Sequence, residues 1–320
     1  MSKVLLISAN VGSVFEIIEK YAPGFVAINF QEVGGKHFRK TMHRVDKFSR
    51  DLQKRCESHG YATGCAFYDK DFDSDIFLFT ALGCLYLLHD SVRHDMAQWN
   101  FANQSFDPVY SFSVETEELE RSERVQKHRF PQDFFPDTRW GRKGYMRTRW
   151  KLRHLVFDLV NVHLFHDESN IKSVERSNYY SELRRRALLH ALQRIEEDVC
   201  SGGLNSHIPM FVYGDMNFRL DHSSLVKLLA PESVCSQVQL SPPAKKRASS
   251  EDGPLNSQRY ALEYRNSQSQ CVLRVERKRF EYEQHNALAD TLWPQLKSLD
   301  KEAEQIDARL HECPVAFMPT

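Results

Sequence analysis

Short apolar runs alternate with amphipathic stretches along this chain. Val4-Leu5-Leu6-Ile7 and Phe25-Val26-Ala27-Ile28-Asn29-Phe30 are dense in branched and aromatic residues and predict buried strands. Residues 75–88 predict two short strands, Ile76-Phe77-Leu78-Phe79 and Leu85-Tyr86-Leu87-Leu88, and residues 155–164 and 209–218 predict one each. Between them the apolar period lengthens to that of a helix. Residues 43–56 set Val45, Phe48 and Leu52 three to four apart, while Leu183, Ala187, Leu188, Ala191, Leu192 and Ile195 trace a clearer stripe. A last amphipathic helix is expected over 300–310, with Pro294 ending or starting what precedes it. Strands that alternate with helices in this way belong to the α/β class.

Polar residues punctuate these runs at particular places. Met210-Phe211-Val212-Tyr213 leads into Gly214-Asp215-Met216-Asn217-Phe218-Arg219, so a carboxylate and a carboxamide two residues apart share one side of an extended backbone at the strand's carboxyl end. That end is where α/β folds gather their chemistry. Asn10 follows the first run, Gln31-Glu32 follows the second, and His163 lies within the strand predicted over 155–164. Singly, each has an ordinary reading: a turn or helix cap for Asn, a solvated loop residue for Glu, a satisfied core or surface group for His. Taken as a set, they predict one site built from several strand ends.

In their order and surroundings these residues resemble the endonuclease/exonuclease/phosphatase superfamily. Phe30-Gln31-Glu32-Val33-Gly34-Gly35-Lys36, Asn161-Val162-His163-Leu164-Phe165-His166-Asp167 and Gly214-Asp215-Met216-Asn217-Phe218-Arg219 are similar to inositol polyphosphate 5-phosphatase motifs. Phe130-Pro131-Gln132-Asp133-Phe134-Phe135-Pro136 and Arg142-Lys143-Gly144-Tyr145-Met146-Arg147-Thr148-Arg149-Trp150 resemble the type I branch, whose substrates are soluble inositol phosphates. The resemblance implies a four-layer α/β/β/α sandwich of two packed, mostly antiparallel sheets. It also implies magnesium-dependent (Mg2+) hydrolysis of the 5-phosphate of inositol 1,4,5-trisphosphate and 1,3,4,5-tetrakisphosphate, which ends calcium-mobilising signalling. By the same likeness Glu32 holds the ion with Asn10, Asp215 orients and deprotonates the attacking water, Asn217 bonds water or phosphate, and His163 donates to a phosphoryl oxygen. Lys143, Asn10 and His166 fall among the substrate contacts, although strict alternation turns His166 off the face of His163.

The likeness stops short at one end. A Pro-x-Trp-Cys-Asp-Arg motif and a Gly-Asp-His motif, which the family carries further on, do not occur, and the single Asp-His dipeptide, Asp221-His222, directly follows the Asn217 motif. Residues 1–320 are therefore expected to be one incomplete catalytic domain lacking its C-terminal strands. The alternatives are a catalytically impaired inositol-phosphate-binding fragment or splice form, and a nuclease or sphingomyelinase of the same superfamily.

Composition narrows the partners. With 43 basic and 43 acidic residues the formal charge is zero, which argues against nucleic acid, whose binders carry a marked basic excess. Seven cysteines without a Cys-x-x-Cys pair speak against zinc and against a disulfide framework, and point to a reducing, cytoplasmic setting. The first apolar run is too short for a signal peptide and none reaches membrane-span length. Type I relatives end in a prenylation motif and are plasma-membrane associated, so membrane contact is expected only through a lipid anchor that Phe317-Met318-Pro319-Thr320 does not supply. A monomer is the default expectation. Residues 236–270 read as a polar, disordered or extended insertion outside the core, with Pro242-Pro243-Ala244-Lys245-Lys246-Arg247 similar to a basic import signal. Arg184-Arg185-Arg186 reads as a solvated helix face or an anion contact.

Overall fold

The computed structural model describes residues 3–8, 14–35, 37–72, 78–136, 141–176, 178–201, 208–240, 260–284, 292–302 and 310–311. In chain order the elements begin β1 (Val4–Ser8), α1 (Val14–Tyr21), β2 (Phe25–Phe30), α2 (Phe38–Thr41), α3 (His43–Glu57), β3 (Thr63–Tyr68) and β4 (Gly83–Leu88). Strands β5 (Met96–Asn100), β6 (Ser105–Pro108), β7 (Phe112–Glu115), β8 (Gln126–Arg129), β9 (Gly144–Leu152) and β10 (Leu155–His163) follow. The chain continues through α4 (Asn170–Glu175), α5 (Tyr179–Ser201), β11 (Met210–Asp215), α6 (His222–Leu229) and β12 (Val234–Gln239). It closes with β13 (Tyr260–Arg265), β14 (Cys271–Glu276), β15 (Arg279–Tyr282) and α7 (Trp293–Lys297). Among the described residues no helix is long and apolar enough to cross a membrane.

Contacts divide the chain into two compact units, Met1–Gln132 with Trp140–Leu164 and His190–Met216, and Asp133–Arg139 with Phe165–Leu189 and Asn217–Thr320. The first unit contains two sheets, ordered β1-β2-β4-β3-β7 and β11-β10-β9-β5-β6, with β8 paired to β9. Most neighbours are antiparallel; β1 with β2, β3 with β7 and β10 with β11 run parallel. One face of the first sheet, carrying Val26, Ile28, Ala66, Tyr68, Leu85 and Leu87, is covered by Val14 and Ile18 of α1 and Leu52 and Cys56 of α3. Its other face, with Phe25, Ala27, Phe67, Cys84 and Tyr86, packs on Met146, Trp150, Phe157 and Leu159 of the second sheet. Beyond that second sheet, Asp198 in the latter part of α5 meets Arg147 and Gln126 of β9 and β8. The unit is thus layered helix, sheet, sheet, helix. Because β2, β3 and β4 are buried on both faces, their sequences run apolar without alternation.

The second unit holds an antiparallel sheet ordered β12-β13-β14-β15. Ile171, Val226, Leu262, Tyr264, Leu273 and Val275 form its core. Here the polar segment expected over 236–270 is corrected: its first residues belong to β12, and β13 buries Ala261, Leu262 and Tyr264 in the core. Glu263 is tolerated in that strand because Arg265 and Arg274 pair with it. Residues 241–259, with the basic run, lie outside the described residues. Arg184 is also corrected, since its guanidinium is 2% exposed and bound by Asp167, Glu302 and the Phe165 carbonyl rather than by solvent. Burial works against the Asp167 carboxyl, but Arg184 and the Ser173 hydroxyl more than offset it and hold its pKa below the ordinary range.

Other boundaries shift. Leu78 and Phe79 are not in a strand, and the strand expected over 209–218 ends at Asp215. Most of the helix expected over 300–310 lies outside the described residues.

Candidate active site

In the first unit the space between the sheets changes character along the strands. By alternation β2 directs Phe25, Ala27 and Asn29 to one side, β10 directs Phe157, Leu159, Asn161 and His163, and β11 directs Tyr213 and Asp215. Phe25, Ala27, Phe157 and Leu159 are in the apolar core. The next layer is polar but fully enclosed: Asn29 and Asn161 have no exposure, and burial, then the nearby Cys84, pushes the Tyr213 hydroxyl well above its ordinary pKa. The last layer opens to solvent at Asp215, whose side chain is 49% exposed.

His163 and Asp215 are partners in the parallel register of β10 and β11, and the Leu164 amide donates to the Asp215 carbonyl at 2.9 Å. This places His163 Nε2 3.5 Å from Asp215 Oδ2. Lys143, just ahead of β9, reaches the same nitrogen with its ammonium. It arrives there because Gly144 is the register partner of His163. Burial, opposed by Asp215 and reinforced by Lys143, lowers the His163 pKa below the usual histidine value, so the neutral ring is favoured. A neutral Nε2 cannot both accept from Lys143 and donate to Asp215, so the three groups hold two alternative proton arrangements. The ring's Nδ1 is buried without a hydrogen-bond partner among the described residues.

Glu32 stands just past β2 with a left-handed backbone, φ 53°, and a side chain 52% exposed. Its carbonyl accepts from the Gly35 amide at 2.7 Å. Arg142 steadies this turn, donating to the Gly35 carbonyl at 3.0 Å with its other terminal nitrogen 4.0 Å from the Glu32 carboxylate. A non-glycine residue in this conformation stores strain on the order of 1 kcal/mol, as functional turns often do. Glu32 also acts electrostatically on His163, which puts both in one site.

The structure thus gathers Glu32, Lys143, His163 and Asp215. Asn217 and His166 belong to the second unit. Asn217 has φ 54°, is 8% exposed, and accepts from Arg219 at 3.0 Å. His166 lies 3.9 Å from Glu168. Asn10 falls outside the described residues. Sequence reasoning gave no role of their own to Asn161, Arg142 and the side chain of Gln31; the available signal was Asn161 itself, a polar residue one alternation before His163 in a strand that is otherwise apolar but for Asp158.

Among the described residues no group of three or more His, Cys, Asp or Glu converges as a ready ligand cage. The half-exposed carboxylates of Glu32 and Asp215 are hard oxygen donors. That donor set suits a small divalent cation that keeps several waters and completes its shell with substrate oxygens.

No family model matches the chain. Inositol polyphosphate-5-phosphatase A of Homo sapiens is 32% identical over 335 residues, covering 99% of this chain and 76% of the relative. The probable type I inositol 1,4,5-trisphosphate 5-phosphatase of Caenorhabditis elegans is 36% identical over 362 residues, covering all of this chain and 85% of the relative. Among solved structures, that of ANGEL2, a 2',3'-cyclic phosphatase, aligns with a TM-score of 0.36 at 14% identity, covering 69% of this chain and 47% of that one.

Proposed function

The chain belongs to the type I inositol polyphosphate 5-phosphatases, and from that membership we propose that it removes the 5-phosphate of inositol polyphosphates in a magnesium-dependent hydrolysis, with inositol 1,4,5-trisphosphate and 1,3,4,5-tetrakisphosphate as substrates. The observation that supports this most is the meeting of Asp215, His163 and Lys143 at the carboxyl ends of register-paired strands. A phosphomonoester resists attack because its oxygens are negative, so a catalyst must neutralise them and place water in line with the leaving oxygen.

Asp215 accepts the proton of the attacking water as the new P–O bond forms and the bond to the inositol oxygen breaks, and that oxygen takes up a proton from solvent to leave as the free hydroxyl. Its exposure at the strand mouth lets water reach it, and positioning supplies much of the rate. Lys143 places an ammonium against the phosphate oxygens. Drawn onto them, it leaves His163 Nε2 free to carry a proton and donate to the same group, which resolves the competition at that nitrogen. Glu32, with Asn10, would hold magnesium, which when bound supplies Lewis-acid neutralisation of the developing charge.

Phosphate release from inositol 1,4,5-trisphosphate, measured with magnesium and again with a chelator, tests the reading. Release that the chelator abolishes is expected. Equal release in both conditions removes the metal from the proposal, and no release in either shifts it toward an inositol-phosphate-binding protein.

A further inference from the structure

We propose that Asn161 is a positioning residue: with Gln31 it forms a brace between the two sheets of the first unit that sets the separation of Glu32 from the His163 and Asp215 pair. This deepens the phosphatase reading and rests on it. Glu32 follows β2 in the first sheet, whereas His163 and Asp215 end β10 and β11 in the second. The reaction needs all three around one phosphate, yet among the described residues no ladder joins the two sheets. Apolar contact between them is non-directional and holds separation only loosely. Hydrogen bonds fix distance and angle.

Asn161 supplies three such bonds. Its amide donates to the Phe30 carbonyl at 3.2 Å and to the Gly83 carbonyl at 2.9 Å, while its oxygen accepts from the Gln31 amide at 2.7 Å. Phe30 and Gly83 face each other as the last pair of the β2 and β4 ladder, so both strands are gripped at once. The residues that make the brace stand near the site: His163 is two positions after Asn161 on the same face, Glu32 is next to Gln31, and Tyr213, the register partner of Asn161, is two before Asp215. Asn161 has no exposure. Plain packing at such a place is met by a leucine of similar volume, and burying an amide is costly unless its bonds are used. Misplacing a reacting group by about 1 Å costs on the order of a hundredfold in rate.

Gln31→Met and Asn161→Leu in the full chain test this through three readouts: kcat and KM for inositol 1,4,5-trisphosphate, affinity for manganese by electron paramagnetic resonance without substrate, and melting temperature. In both variants kcat should fall roughly 10- to 100-fold and manganese affinity about tenfold, as when outer supports of a metal site are removed. KM should change less than about threefold. Gln31 is only partly buried, so Gln31→Met removes little packing, but it leaves the enclosed Asn161 oxygen without its donor, and a modest fall in melting temperature, smaller than that of Asn161→Leu, is expected. The double variant should be no worse than Asn161→Leu alone, because both break one brace. Unchanged kcat and manganese affinity per folded molecule, with only a lower melting temperature, overturns the inference, as does additivity. If Asn161→Leu does not fold, Gln31→Met decides. If the unaltered chain releases no phosphate, the phosphatase reading fails, and the ratio of manganese affinities still decides whether the brace positions the site.

Discussion

At Asp215 a half-exposed carboxylate stands 3.5 Å from a buried imidazole whose pKa burial has lowered. Asp215→Asn keeps the shape but cannot take a proton from water, so phosphate release should drop by about 10²- to 10⁴-fold. With 49% of the side chain in solvent, the melting temperature should hardly move. Near-normal turnover in that variant would remove Asp215 as the base. At this scale Glu32, His163 and Asp215 were legible from their places in and just after apolar runs. Lys143 was not, except through likeness, because its nearness to His163 is created by the register of β9 on β10, which no local pattern encodes. Asn161 was hidden for another reason: within a mostly apolar strand an asparagine reads as an exception, and its use appears only when a second sheet brings carbonyls to it.

Elements were legible in proportion to how simply they are buried. Strands β2 and β4, apolar on both faces, announce themselves. Strand β9 does not, because Arg147, Thr148 and Arg149 interrupt it, yet all three are buried. Asp158 makes this tolerable, bonding Arg147 at 2.7 and 3.0 Å and Arg149 at 2.7 Å across the β9 and β10 ladder. Asp158→Ala should therefore destabilise the protein by about 3–5 kcal/mol, since it leaves two buried guanidinium groups without their shared carboxylate. A denaturant midpoint equal to that of the unaltered chain would show that the network is dispensable. Strand β13 was lost in the polar segment around it, its buried Glu263 interrupting the run of buried Ala261, Leu262 and Tyr264.

For the whole molecule, neither composition nor periodicity marks the division into two units, because each unit is assembled from several separated stretches of chain. A formal charge of zero gives no general attraction for a polyanionic substrate. Attraction would have to be local, and in the first unit Lys143 and Arg142 are cationic side chains that stand beside the His163 and Glu32 positions. The central claim concerns which ester is cut. Phosphorus NMR of inositol 1,4,5-trisphosphate incubated with this chain and magnesium identifies the phosphate that leaves. Loss of the 5-phosphate, giving inositol 1,4-bisphosphate and free phosphate, is the expected result; loss of the 1- or 4-phosphate, or an unchanged spectrum, contradicts the assignment.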